Sequence, residues 1–229
     1  MNNIQKFTTA ADYSAATHSY PNVSWITSGD TLIYTAEEPT PPTNIPPLNG
    51  FDIAVTYNVT DASQEVQLTT TEYDANEIEE MEVDGVDETP SSTYRFSTTG
   101  QHVVRYKITS DTLYQTFKEV PNILYMNIGG NVSDIDNEAL MHIQTSEKSI
   151  FEIQLQSKYN SSYIASSAFW GNTNLEKLIV LDTTPPSIGG NYFLEGTSNC
   201  NIYVPSSAVN TYKSASGWSD YADRIFAIQ

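Results

Sequence analysis

Alternating apolar and polar residues dominate the stretch from residue 49 to about residue 110. Five apolar residues occupy every second position of its first strand: Phe51, Ile53, Val55, Tyr57 and Val59. This period of two predicts a half-buried β-strand, and apolar residues at 66–68, 81–83, 94–96 and 102–108 predict four more strands between turns. Short strands without a helical pattern need a second sheet to bury one face, so residues 49–119 predict a small immunoglobulin-like β-sandwich.

From about residue 120 the chain has a longer period. Three segments share an isoleucine followed by large apolar residues: Ile135–Leu140, Ile164–Phe169 and Ile188–Phe193. Short apolar strands lie near each segment. The intervals between the three isoleucines are typical of solenoids, in which each coil buries its apolar residues against the next. Residues 120–229 therefore predict a short solenoid.

The segment from Pro205 to the C-terminus predicts a cap on this stack. A serine after Pro205 is expected to cap a short helical turn, and Trp218, Tyr221, Ile225 and Phe226 are expected to cover the open end.

A proline-rich segment sets off residues 1–36. Residues 37–48 hold five prolines within nine positions, which favours an extended, semi-rigid spacer. Before it, residues 10–16 are expected to form a short helix, and residues 23–26 and 31–34 two strands joined by a turn. A segment of this size is below the usual limit for independent folding. It is either a hairpin packed on the next domain or an element that attaches the chain to a partner.

Charge and composition narrow the function. The formal net charge is −18, with 28 acids against ten bases, so phosphate backbones and anionic lipid surfaces are disfavoured as partners. A single cysteine, Cys200, allows no intrachain disulfide and is expected to be a buried, inert thiol. No apolar run resembles a signal peptide or a membrane span, which predicts folding in a cytoplasm and no membrane insertion.

The usual catalytic motifs are missing from the sequence, and the three histidines, His18, His102 and His142, fall in three different segments. We therefore expect no enzymatic activity, no cofactor and no metal. Residues 72–88 carry nine acids and no base, which predicts a solvated, mutually repelling face. Glycosidase carboxylates in this run, or calcium bound there or by Asp134, Asp136 and Glu138, are the alternatives.

Aromatic side chains are better candidates for recognition. The chain has 15 tyrosines and three tryptophans among many small polar residues, a composition typical of contact surfaces. Tyr159, Tyr163 and Trp170 form the candidate binding surface, with packing in the core or cap as the alternative.

Three runs carry a resemblance to a known family: 168–175 (AFWGNTNL), 183–186 (TTPP) and 202–218, which contains IYVP and YKSASGW. They resemble the last repeats and C-terminal cap of BspA-type leucine-rich repeat proteins, and 121–163 resembles earlier repeats more loosely. Residues 81–106 are similar to the β-domain that often precedes such repeats in proteins of gut Bacteroides and their phages. Residues 1–36 resemble attachment segments of phage virion proteins, including head fibres of crAss-like phages.

The resemblance implies a mainly β protein made of an N-terminal attachment segment (1–36), the spacer (37–48), an immunoglobulin-like domain (49–119) and leucine-rich repeats with a cap (120–229). It implies a non-enzymatic phage structural protein, a capsid-attached head fibre or other virion fibre, assembled in the host cytoplasm as a homo-oligomer. Phe7, Tyr13 and Trp25 are the candidate residues for attachment to capsid or tail proteins. A bacterial surface glycan or protein is the expected outward partner. A bacterial cell-surface adhesin is the rival interpretation, and a glycan-cleaving enzyme the third.

Overall fold

A computed structural model describes residues 4–7, 23–28, 31–36, 44–70, 77–143, 151–155, 163–190, 192–197 and 200–228. The chain divides into two compact units, Met1–Thr40 with the last two residues, and Pro41–Ala227. The protein is mainly β, as the sequence predicts. Among the described residues no helix is long and apolar enough to cross a membrane.

The N-terminal unit contains a three-stranded antiparallel sheet. Its strands are β1 (Ile4–Phe7), β2 (Val23–Ser28) and β3 (Thr31–Ala36), with β3 in the centre. The predicted pair of strands is confirmed, since β2 and β3 pair in antiparallel register from Val23 opposite Ala36 to Ser28 opposite Thr31. Strand β1 was not predicted, and the predicted helix at residues 10–16 lies outside the described residues.

A nine-stranded sheet organises the second unit. Its antiparallel part comprises β4 (Ile53–Val59), β6 (Ile78–Val83), β7 (Val86–Glu88) and β9 (Gly100–Ile108). Its parallel part comprises β11 (Ile123–Ile128), β13 (Phe151–Leu155), β15 (Leu175–Val180) and β17 (Asn201–Pro205), and β18 (Ile225–Ile228) ends the sheet beside β17. Strands β4 and β11 pair in antiparallel register, so the two parts share one continuous sheet and the 119/120 boundary falls inside one compact unit.

Strand β4 is buried on both faces, so the expectation of a half-buried strand is wrong. It lies between β9 and β11 in the centre of the sheet. A two-stranded antiparallel sheet, β5 (Val66–Gln67) with β8 (Thr93–Tyr94), lies next to β4. The two are joined by a hydrogen bond from the Tyr57 hydroxyl on β4 to the Leu68 carbonyl just after β5. The segment 44–48 binds the neighbouring strands, where the carbonyls of Pro46 and Pro47 accept hydrogen bonds from the side chains of Asn127 and Arg105.

The parallel part is built of stacked coils. A second parallel sheet, of two-residue strands, runs in the order β10 (Thr112–Leu113), β12 (Asp134–Ile135), β14 (Tyr163–Ile164) and β16 (Ser187–Ile188). Ile135 lies opposite Ile164, and Ile164 opposite Ile188, which confirms the repeat that these isoleucines predict. Leu113 lies opposite Ile135, so the coils begin one repeat earlier than predicted.

Hydrogen bonds between main-chain groups join each coil to the next. Phe117 N–H donates to Ala139, Leu140 N–H to Ala168, and Phe169 N–H to Phe193. A further bond of this kind comes from Thr70, whose N–H donates to Thr116, so the loop after β5 covers the first coil. These bonds make Phe117, Leu140, Phe169 and Leu194 equivalent, and all four are buried.

The C-terminal segment closes the stack, as predicted for Trp218, but Phe226 lies on the edge strand β18 and is 40% exposed, so its predicted place in the cap is wrong. Helix α1 (Val209–Ser214) and a 3₁₀ helix (Ser219–Arg224) follow β17. Trp218 is fully buried, its ring packs against Phe193 and Tyr212, and its indole N–H donates to the Pro186 carbonyl at 2.9 Å. The predicted serine cap is wrong, because the N-cap of α1 is Ala208 and no side chain caps it.

Candidate functional site

Four of the exposed large apolar side chains among the described residues lie in the coils outside the long strands: Tyr114, Tyr163, Trp170 and Tyr192. Trp170 is 40% exposed and Tyr163 is 38% exposed, so packing in the core does not account for either ring. The third predicted member of this surface, Tyr159, lies outside the described residues. The coils therefore present aromatic surface to solvent at two of the predicted positions.

Trp170 is held in place by His142 of the preceding coil. The two rings stack with centroids 4.8 Å apart and planes 28° apart, and the His142 N–H donates to the Trp170 carbonyl at 3.0 Å. Gly171 makes this possible, because a Cβ at that position would overlap the imidazole. His142 has a φ of 51°, a left-handed conformation that costs a non-glycine residue free energy. The indole is thus held by its stack on His142.

The pattern of the coils identifies the neighbours of Trp170. The residues that follow the four equivalent buried positions form a column across the coils: Lys118, Met141, Trp170 and Glu195. The next position has a positive φ in every coil, at Glu119, His142, Gly171 and Gly196. In this column Trp170 lies between the buried Met141 and the exposed Glu195. His142 and Glu195 were not found from the sequence, because their place becomes visible only once the coils are aligned.

Buried amide and hydroxyl groups complete the coils below this column. Asn172 accepts a hydrogen bond from Ile143 N–H and donates to the carbonyls of Leu140 and Phe169. Thr197, one coil later, donates to the Leu194 carbonyl at 2.6 Å. These bonds satisfy buried polar groups of the turns next to Trp170 and so stabilise the backbone that carries its side chain.

Tyr163 and Trp170 are in one coil, but no direct contact joins them among the described interactions. Tyr163 pairs in β14 with Ser187 of β16, and its phenol lies over Gly189 of the following coil, where a Cβ would overlap it. The two aromatics are therefore held by different neighbours.

The acidic run is largely exposed to solvent, as expected, but several of its acids have partners on neighbouring strands instead of only repelling one another. Glu82 forms an ion pair with Arg105, and Glu80 with Lys107 at 3.3 Å, both across β6 and β9. Asp84 Oδ2 lies 2.6 Å from His102 Nδ1. Tyr94 donates to Glu88 at 2.9 Å. Residues 72 and 74 of the run lie outside the described part of the chain.

The carboxylates proposed as calcium ligands have other partners. Glu138 accepts hydrogen bonds from Lys118 and Gln115, and the bond from Lys118 is the main cause that lowers the pKa of Glu138. Asp134 accepts from Tyr163 N–H, and Asp136 from Asn137 N–H. Within the described ranges no three His, Cys, Asp or Glu side chains are placed to hold a metal ion.

Other titratable groups are buried for structural reasons. Tyr57 donates to the Leu68 carbonyl at 2.6 Å, so Tyr106, whose hydroxyl lies 3.0 Å from that of Tyr57, is the donor of the bond between them. Burial raises the pKa of both phenols. Cys200 is buried, as predicted, and this burial raises the pKa of its thiol to about 12. A thiol with so high a pKa is a poor nucleophile at neutral pH.

Two of the three candidate attachment residues lie in the N-terminal sheet. Phe7 is opposite Leu32 in the pairing of β1 with β3, and Trp25 is opposite Tyr34 in the pairing of β2 with β3. Tyr13 lies outside the described residues.

No protein-family model matches this sequence, and a comparison with curated proteins also gives no match.

Proposed function

We propose that this chain is a non-enzymatic structural protein of a phage particle, a capsid-attached head fibre or other virion fibre that displays its coils for adhesion. The main support for the proposal is that the chain divides within the proline-rich segment. A small unit with a three-stranded sheet precedes the division, and a larger unit that contains the nine-stranded sheet and the stacked coils follows it. In this proposal the small unit attaches to virion proteins through Phe7, Tyr13 and Trp25, and the larger unit faces outward.

The proposal includes the finer fold assignments. The antiparallel part with β5 and β8 is taken as the immunoglobulin-like domain, and the coils as BspA-type leucine-rich repeats. The parallel register of Ile135, Ile164 and Ile188 and the buried aromatic cap support the second assignment. Fibres of this kind act as homo-oligomers, because several copies turn weak contacts into avidity.

Mass spectrometry of purified particles from a phage that carries this gene tests the proposal. We expect peptides of the chain in many copies per particle, together with known capsid proteins. A few copies would place the fibre on the tail. Absence from particles, with the protein on the surface of the bacterial host, would overturn the proposal in favour of the rival, a bacterial cell-surface adhesin.

A further inference from the structure

We propose that Trp170 and Glu195 form a docking point for a basic side chain, arginine or lysine, of a partner protein. This inference rests on the proposed adhesive function and names the chemistry of the partner. Its first support is geometry. Trp170 and Glu195 occupy the same column in the turns of adjacent coils, which are joined by the hydrogen bond from the Gly171 N–H to the Glu195 carbonyl at 2.8 Å. Both residues are exposed, and an indole ring and a carboxylate are the two groups that a cationic side chain contacts most favourably.

The platform is built before binding. The ring of Trp170 is fixed by the stack on His142, and Gly171 keeps the space for that stack open. Asn172 anchors the same turn through three buried hydrogen bonds. Binding therefore costs little conformational entropy of the protein. The modest free energy that a cation gains on an exposed indole is then not offset by that cost.

Charge favours a basic partner over the other ligands that tryptophan accepts. The net charge of −18 attracts cationic segments over long range and repels anionic ones. Three of the bases in the described part of the chain are already paired with acids, namely Arg105, Lys107 and Lys118. Lys118, the base in this column, lies two coils away from Trp170 and is bound to Glu138. A neutral sugar would use the indole but would gain nothing from this field.

The test is a titration of the full ¹⁵N-labelled chain, followed at the Trp170 indole resonance, which the W170L variant assigns. The probe is the peptide acetyl-Gly-Arg-Gly-Arg-Gly-amide, and its control carries citrulline, a neutral isostere, in place of arginine. We expect the arginine peptide to shift the Trp170 resonance and to bind about three- to fivefold more tightly than the citrulline peptide. E195Q should weaken the arginine peptide about twofold, and added salt should weaken it further.

Tyr192→Ala is the matched surface control, because Tyr192 is 63% exposed in the same stack but lies outside the column. This variant should bind like the unmodified chain. Equal shifts by the arginine and citrulline peptides would overturn the proposal. So would a shift of the Trp170 resonance by maltotetraose alone, which would indicate a glycan platform. The particle measurement above is independent of these outcomes, so failure of either proposal can be told from failure of the other.

Discussion

The two parts of the nine-stranded sheet satisfy their polar groups in different ways. In the antiparallel part, side chains pair across neighbouring strands, as Glu82 does with Arg105 and Glu80 with Lys107. In the coils, main-chain groups bond from one coil to the next, and Asn172 and Thr197 satisfy the turns from inside. Among the described residues, the antiparallel part thus relies more on ion pairs, whereas the coils are joined mainly by neutral hydrogen bonds together with the Lys118–Glu138 pair.

The largest effect expected from this difference is at Asn172. Asn172→Ala leaves the Ile143 N–H and the carbonyls of Leu140 and Phe169 without their partner in a buried turn. Each such group costs about 1–3 kcal/mol, so we expect the free energy of unfolding in urea to fall by about 3–5 kcal/mol. Asn137→Ala, at an exposed asparagine of the preceding coil, is the control and should change it little. Equal effects of the two variants would contradict a structural role for the buried amide.

In the antiparallel part, the buried hydroxyls of Tyr57 and Tyr106 form a chain of hydrogen bonds. Loss of the two hydroxyls should reduce stability by different amounts. Tyr57→Phe removes the donor to Leu68 and the acceptor for Tyr106, whereas Tyr106→Phe removes one bond. We expect losses of about 2–3 kcal/mol and about 1 kcal/mol, measured by urea denaturation. A larger loss for Tyr106→Phe would show that the direction of the hydrogen-bond chain is wrong.

Two glycines with positive φ, one in each part of the sheet, allow the cost of backbone strain to be compared with the added cost of a steric clash. Gly171→Ala places a Cβ at φ +75° into the ring of His142, whereas Gly85→Ala at φ +86° meets open space. We expect a loss of about 2–3 kcal/mol for Gly171→Ala and about 1–2 kcal/mol for Gly85→Ala, by thermal unfolding. The emission of Trp170 should change in the first variant alone, since its stack on His142 is displaced. If both variants lose the same stability, the imidazole moves away at no cost.

Alkaline pH should destabilise both parts, and the coils should respond first. The folded chain keeps the Cys200 proton, because burial raises the pKa of this thiol to about 12. The unfolded thiol titrates near its usual pKa of about 8.5, so above that pH the unfolded state binds fewer protons and the free energy of unfolding falls as pH rises. For one group the loss is about 2 kcal/mol by pH 10.

Cys200→Ala isolates this contribution. Urea denaturation at pH 8, 9 and 10 should show a shallower decline for the variant than for the unmodified chain, whatever its stability at pH 8. Tyr57 and Tyr106 add a further decline only above about pH 10, where unfolded phenols lose their protons. Parallel declines in the two proteins would mean that the thiol is not buried in solution.

The smallest effect is expected from the exposed ion pair of the antiparallel part. Glu80 and Lys107 are both substantially exposed, and pairs of this kind contribute little to stability. Lys107→Met and Glu80→Gln, alone and together, should give a coupling energy close to zero in a double-mutant cycle. Arg105→Met should cost much more, because Arg105 and Glu82 are both largely buried and Arg105 also binds the Pro47 carbonyl. A large coupling between Glu80 and Lys107 would reverse the contrast.

Periodicity in the sequence predicted much of this fold. The isoleucines at 135, 164 and 188 fall in register as expected, because each must be buried by the next. The first coil was missed because Leu113 replaces the isoleucine there and its segment resembles the end of the preceding strands. The bond from Thr70 to the first coil has no sequence signal, since any residue other than proline can donate a main-chain hydrogen bond.

Pairing between distant segments accounts for the remaining differences. The run of acids suggests repulsion when it is considered alone, yet its partners lie on β9 and become visible only with the strand register. Strand β4 alternates perfectly in sequence, but both of its faces are buried, which no local pattern reveals. Trp170 was predicted as a contact residue from its type alone. Its supports, His142 and Gly171, depend on how one coil lies on the next.

Because both ends of the stack are covered, the number of coils between them can change without exposing the core. The loop around Thr70 covers the first coil and the segment around Trp218 covers the last, and neither belongs to the repeated pattern. Duplication of one complete coil, such as the one that begins at Ile164, would therefore leave both covers in place. Each duplication would move the two ends apart by about 4.8 Å, the spacing of adjacent strands. Gain or loss of a coil would therefore change the length of the stack without requiring a new fold.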